Sequence, residues 1–178
     1  MPYPLSTSNT YSTKRINELL TVYIQQVNRV YPLPRSVEKQ LSGFMFSGMA
    51  SVWIVDDDPD DQSFMKAAFT SIRPDIQIMA LDDGETFLSR IAQTRTLPKI
   101  VLLDLNMPGI TGFDTLKRLR SNHSYDDLTI VVLTAFSMAT TTDRNQALAL
   151  GANQFYTKPN TYKDLLALIK TITVHLCD

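Results

Sequence analysis

Several common chemistries find little to work with in this sequence. The only cysteine is Cys177, which excludes an internal disulfide and leaves no thiol cluster for zinc. Lys and Arg form no block and the formal net charge is -1, so no nucleic-acid footprint is expected. A Gly-rich nucleotide loop and a helix-turn-helix pattern are both missing. The longest apolar-looking segment, FMFSGMASVWIV, is too short to cross a bilayer, and MPYPLSTSNTYSTKR has no apolar signal core. These absences point to a soluble protein in a reducing, cytoplasmic setting, with no nucleic-acid or membrane partner.

What is present is local charge. WIVDDDPDDQ, residues 53–62, crowds five carboxylates into six positions directly behind an apolar run. The 178 residues, 44% hydrophobic and 20% charged, suffice for one core, so this crowd is expected on a single domain with an appendage.

The appendage is residues 1–48. Pro, Ser and Thr dominate as far as residue 13, which reads as disordered; then KRINELLTVYIQQVNRV sets Ile16, Leu20, Tyr23, Val27 and Val30 at helical spacing. That spacing predicts one amphipathic helix near 14–30, ended by Pro32 and Pro34. Two readings stay open. The segment is a leader ahead of a natural start at Met49, or its helix packs on a partner or on a second copy of the chain.

From residue 51 strands and helices alternate. VWIV (52–55), IQIMAL (76–81), KIVLLDL (99–105), LTIVVLT (128–134) and NQFYT (153–157) are short and largely rich in Val and Ile, and read as strands. Helices are predicted over 59–72, 83–94, 111–122, 138–150 and 160–176, the first capped by Asp58 with Pro59 behind it. Five strands, each followed by a helix, imply a parallel sheet covered on both faces, with its ligand crevice at the carboxyl ends of the strands.

That rule gathers Asp56 and Asp57 from the first strand, Asp104 from the third, Thr134 from the fourth and Lys158 after the fifth at one edge. Carboxylates brought together repel unless a cation sits among them, and hard oxygen donors point to Mg²⁺. Such an ion keeps positions open for phosphate oxygens, beside a lysine and a threonine hydroxyl. The crowding predicts a phosphoryl-transfer site.

VDDD, LLDLNMPGITGFD, VVLTA and GANQFYTKP, in this order at these strand ends, resemble bacterial response-regulator receiver domains over residues 51–176. The resemblance implies a flavodoxin-like doubly wound α/β fold with strand order 2-1-3-4-5 and helices on both faces. The run DDDPDDQ is most similar to the single-domain receivers related to those that serve bacterial phytochromes.

Roles follow from the resemblance. Asp104 would be the phosphoacceptor, with Asp56, Asp57, Asp104 and the backbone carbonyl of Asn106 holding Mg²⁺. Lys158 would pair with Asp104 and then with phosphoryl oxygens, Thr134 would turn its hydroxyl to the phosphate, and Phe155 would follow inward as an aromatic switch. Lys158–Pro159 would be cis. The implied partners are a sensor histidine kinase or histidine phosphotransfer protein and a downstream protein target. Residues 138–176 would be the surface for docking or homodimer formation, and the resemblance implies a signalling phosphoacceptor rather than an enzyme. Phe136, where many receivers have a polar residue, predicts slow loss of the phosphoryl group.

Blander readings stand beside these. Asp58, Asp60 and Asp61 read as first-turn helix charges rather than metal ligands. Gly109 and Gly112 fit a turn, and His123 and His175 show no partner in sequence. A haloacid-dehalogenase-type hydrolase would need an acid where Asn106 stands. A calcium loop fails at Asp61, which should be Gly, and at Ala67, which should be Glu. A pseudo-receiver that acts only as a binding surface is the remaining alternative.

Overall fold

The computed structural model describes residues 50–135 and 139–174. The helix expected near 14–30, Phe136, His175 and Cys177 lie outside the described residues. The elements are β1 (Ser51–Val55), α1 (Pro59–Ile72), β2 (Gln77–Leu81), α2 (Gly84–Gln93), β3 (Ile100–Leu103), α3 (Gly112–Arg120), β4 (Thr129–Thr134), α4 (Thr141–Ala149), β5 (Gln154–Thr157) and α5 (Tyr162–Thr173), with a short 3₁₀ turn at His123–Tyr125.

The strands form one sheet in the order β2-β1-β3-β4-β5, and every pair is parallel. This is the flavodoxin-like order, and burial shows its cause. β1 from Val52, all of β3, and β4 from Ile130 are fully buried, whereas β2 and β5 are mostly half-covered. Continuously apolar strands take the centre and the mixed strands take the edges.

Side-chain alternation divides the core in two. Trp53, Val55, Val101, Leu103, Ile130 and Val132 face one side, where Phe87 of α2 meets the Trp53 ring edge-on at 6.2 Å. Val52, Ile54, Leu102 and Leu133 face the other side, under Phe69 of α1 and Ile169 of α5. Burial of such side chains contributes roughly 1.5–3 kcal/mol each, which clamps the register that aligns the strand ends.

Helix starts are set by caps. Asp58, Asp83, Thr111, Thr140 and Thr161 each accept a backbone N–H from the first turn of α1 to α5. The last two correct the sequence reading. α4 begins at Thr141 rather than 138, and α5 at Tyr162 rather than 160, because the threonine oxygen holds its own residue in extended backbone while it caps the turn.

Candidate functional site

The sheet's hydrogen-bond ladder runs one rung past the strand ends and fixes the site. Asp56 donates its N–H to Leu81 O at 3.0 Å, Asp104 to Val55 O at 2.9 Å and Lys158 to Thr134 O at 2.8 Å. Three reactive side chains thus stand on backbone that the sheet holds.

They converge on the Lys158 ammonium. Its Nζ lies 2.8 Å from Asp56 Oδ2, 2.8 Å from Asp104 Oδ2 and 2.7 Å from Asp61 Oδ2. Asp56 and Asp104 are buried, at 1% and 5% exposure, so neither could remain charged there without a partner. The second oxygen of each is also engaged. Asp58 N–H donates to Asp56 Oδ1 at 3.1 Å, and Asn106 N–H donates to Asp104 Oδ1 at 3.2 Å. Each carboxylate therefore presents one oxygen to its own loop and one to the lysine.

Burial pushes the Asp56 carboxyl up to about 6, against the pull of the Lys158 hydrogen bond and charge. For Lys158, burial opposes the charge, but hydrogen bonds to Asp104, Asp56 and Asp61 outweigh it and hold the ammonium above the usual lysine range.

The expected metal ligands fit a hard cation. Asp56, Asp57 and Asp104 each offer a carboxylate oxygen, all within 4.8 Å of one another. Opposite ligands in a Mg²⁺ octahedron lie about 4 Å apart, a spacing comparable to that of these oxygens. The donors are all oxygen, and three carboxylates meet one ammonium while Asp57 adds a fourth negative group beside Asp56 and Asp104. That excess of negative charge favours a divalent cation.

Thr134 is fully buried, and its hydroxyl has no hydrogen-bond partner among the described residues. Phe155 is buried at 6% exposure; the Arg144 guanidinium sits 5.9 Å from its ring centroid and donates to its carbonyl at 2.9 Å. A cleft of about 270 Å³ opens beside the site, lined by Asp61, Phe64, Met65, Lys158, Pro159 and Tyr162 among others.

Three sequence readings change and one holds. Lys158–Pro159 is trans, as all peptide bonds among the described residues are, and trans is the favoured isomer by roughly 0.5–1 kcal/mol. His123 has a partner, Asp126, at 3.0 Å on the surface. Gly112 is more than a turn residue, because a Cβ there would lie 2.1 Å from the Asp104 carbonyl oxygen. Gly109 does occupy left-handed backbone, at φ 81°.

Sequence reasoning also missed two residues. Asp61 was read as a helix charge, yet it reaches Lys158 across 97 residues of chain. Gln62 is buried and donates to both Asp56 O and Asp82 Oδ1 at 2.7 Å, tying the ends of β1 and β2 together. A glutamine in a helix's first turn carried no signal of this; a charge deep in an otherwise capped turn was the available hint for Asp61.

Fold and site define a doubly wound α/β domain with an acidic, lysine-bridged pocket at the carboxyl edge of its sheet. The family model for the response regulator receiver domain matches residues 52–170, and the chain belongs to that family. Response regulator PleD of Caulobacter vibrioides is 32% identical over 124 residues, which cover 70% of this chain and 26% of PleD, so the chain spans about a quarter of that relative's length. Among solved structures, the phosphorylated cyanobacterial phytochrome response regulator RcpA superposes with a TM-score of 0.65 at 21% identity, covering 71% of this chain and 92% of RcpA. The Mn²⁺-bound response regulator Rcp1 gives 0.62 at 24%, covering 70% and 91%. At those identities the likeness is one of fold. Membership gives residues 52–170 the role of a two-component phosphoacceptor domain. Among the described residues no helix is long and apolar enough to cross a membrane.

Proposed function

We propose that the protein is a response regulator whose receiver domain, residues 51–176, takes a phosphoryl group from a phosphohistidine onto Asp104. An Asp104 oxygen attacks phosphorus; the O–P bond forms as the P–N bond breaks, and the electron pair returns to the imidazole nitrogen. Water later attacks the acyl phosphate, releasing inorganic phosphate and restoring the carboxylate. Asp56, Asp57, Asp104 and the Asn106 carbonyl would hold Mg²⁺, which when bound offsets the charge on the phosphoryl oxygens. Lys158 turns from Asp104 to a phosphoryl oxygen, and the buried Thr134 hydroxyl supplies a further donor. Phe155 is the aromatic that registers this change, and residues 138–176 carry it to a protein partner or a second copy of the chain. The donor is a sensor histidine kinase or a phosphotransfer protein in the cytoplasm.

The observation that carries this reading is the Lys158 ammonium, 2.8 Å from both buried carboxylates, at the sheet edge where a buried threonine hydroxyl has no partner among the described residues. That arrangement stores donors and charge for an anion. The test is intact mass after incubation with a small-molecule phosphodonor and Mg²⁺. Wild type should gain one phosphoryl group, and Asp104→Asn or added chelator should abolish the gain. No adduct on wild type, under conditions that label another receiver, would leave a phosphorylation-independent binding domain.

A further inference from the structure

Asp occupies the third position of four helices: Asp61 in α1, Asp114 in α3, Asp143 in α4 and Asp164 in α5. Three of these serve their own helix. Asp114 and Asp164 accept from the capping hydroxyls of Thr111 and Thr161 at 2.8 and 2.7 Å, and Asp143 accepts from the Thr140 N–H at 3.2 Å. Asp61 alone turns away from its cap, to Lys158 at 2.7 Å, while the Asp58 N–H that a capping box would use goes to Asp56 instead.

We infer that Asp61 is a positioning residue for Lys158, the one anchor of the ammonium that persists through the phosphorylation cycle. The inference rests on the phosphoacceptor reading above. A lysine ammonium has three N–H donors, and here three carboxylates take them. Two of those bonds compete with the reaction: Asp56 would also help hold the divalent cation, and Asp104 would become the acyl phosphate. Asp61 is claimed by neither. Asp61 therefore holds the ammonium at the mouth of the cleft while another N–H swings to a phosphoryl oxygen. Asp61 itself is fixed at both ends: its backbone N–H donates to Asp58 Oδ1 at 3.4 Å and its carboxylate meets the lysine.

Charge alone argues the opposite way, which makes the effect readable. Asp61 is an anion beside an anion site, so simple repulsion says that removing it should tighten binding of a phosphoryl mimic; loss of the anchor says that binding should weaken. The experiment titrates beryllofluoride into wild type, Asp61→Asn, Asp61→Glu and Asp60→Asn at saturating Mg²⁺, while ¹⁵N NMR follows the Lys158 ammonium. Asp60→Asn removes a neighbouring first-turn charge that does not touch Lys158.

Wild type and Asp60→Asn should bind the mimic alike and keep a slowly exchanging ammonium signal with and without it. Asp61→Asn should bind about tenfold more weakly and lose the signal to water exchange, and Asp61→Glu should recover part of both. Unchanged or tighter binding by Asp61→Asn, or an undiminished ammonium signal, overturns the inference while the phosphoacceptor reading stands. No mimic binding by wild type overturns both.

Discussion

The first turns of α1 and α4 carry an aspartate at the same position and use it for opposite ends. Asp143 closes a reciprocal capping box with Thr140, three residues away. Asp61 spans 97 residues to Lys158. The same contrast separates Asp83 from Asp56. Asp83 is only half-buried and caps α2, and the Thr86 N–H holds its carboxyl below the usual range; Asp56 is buried, and burial drives it up. A carboxylate served by its own turn is settled by local geometry and by water. One at the strand edge depends on a side chain that the fold must deliver.

Removing that side chain should break the contrast most. Lys158→Ala leaves buried Asp56 and Asp104 without a cation, and the expected loss is about 3 kcal/mol, the low end for a broken buried pair because Asp56 can take up a proton. Mg²⁺ should restore part of it. Urea denaturation with and without Mg²⁺ measures both, and a loss under about 1 kcal/mol would mean that the edge is as well solvated as the caps.

A smaller effect comes from pH. The Asp56 pKa is raised from 3.8 to about 6 in the fold, so the folded state binds this proton more tightly than the unfolded chain does. Its contribution is therefore complete below 3.8 and is lost as pH rises through about 6. In divalent-free buffer, the stability of wild type relative to Asp56→Asn should fall by about 2 kcal/mol from about pH 4 to about pH 7. A rising difference over that interval would reverse the sign of the argument.

The smallest effect tests the local side. Thr140→Ala removes the α4 cap and should cost about 1 kcal/mol in thermal or urea melts. Its phosphoryl adduct on Asp104, read by intact mass, should match wild type. A lost adduct would show that the capped turn is coupled to the edge after all.

Much of the fold was legible because its signals are short-range. Short runs of four to seven residues marked every strand, and α1 was bounded as found by Asp58 before it, Pro59 at its first position and Ile72 at its end. The starts of α4 and α5 were misjudged where Thr-x-x-Asp already stood in the sequence, at Thr140 and Thr161, as a local signal that went unread. The strand-end residues Asp56, Asp104, Thr134 and Lys158 were legible through one rule about parallel sheets and through a family resemblance. The closeness of Gly112 to the Asp104 carbonyl was not, since a helix start and a strand end eight residues apart show no distance in a sequence.

By itself the sequence determined which residues are apolar at what spacing, where turns are capped, and which charges crowd behind the first strand. From these the parallel sheet and its carboxyl edge follow, because pattern and local hydrogen bonding decide elements. The tertiary structure alone decided which two of five neighbouring aspartates meet the lysine, that Gln62 ties two strand ends, and that the Thr134 hydroxyl is buried without a partner among the described residues. The reason is geometric. Such contacts depend on the angle at which α1 leaves β1 and on how far the β5–α5 loop brings Lys158 back over it, and packing of the whole sheet and its helices fixes both.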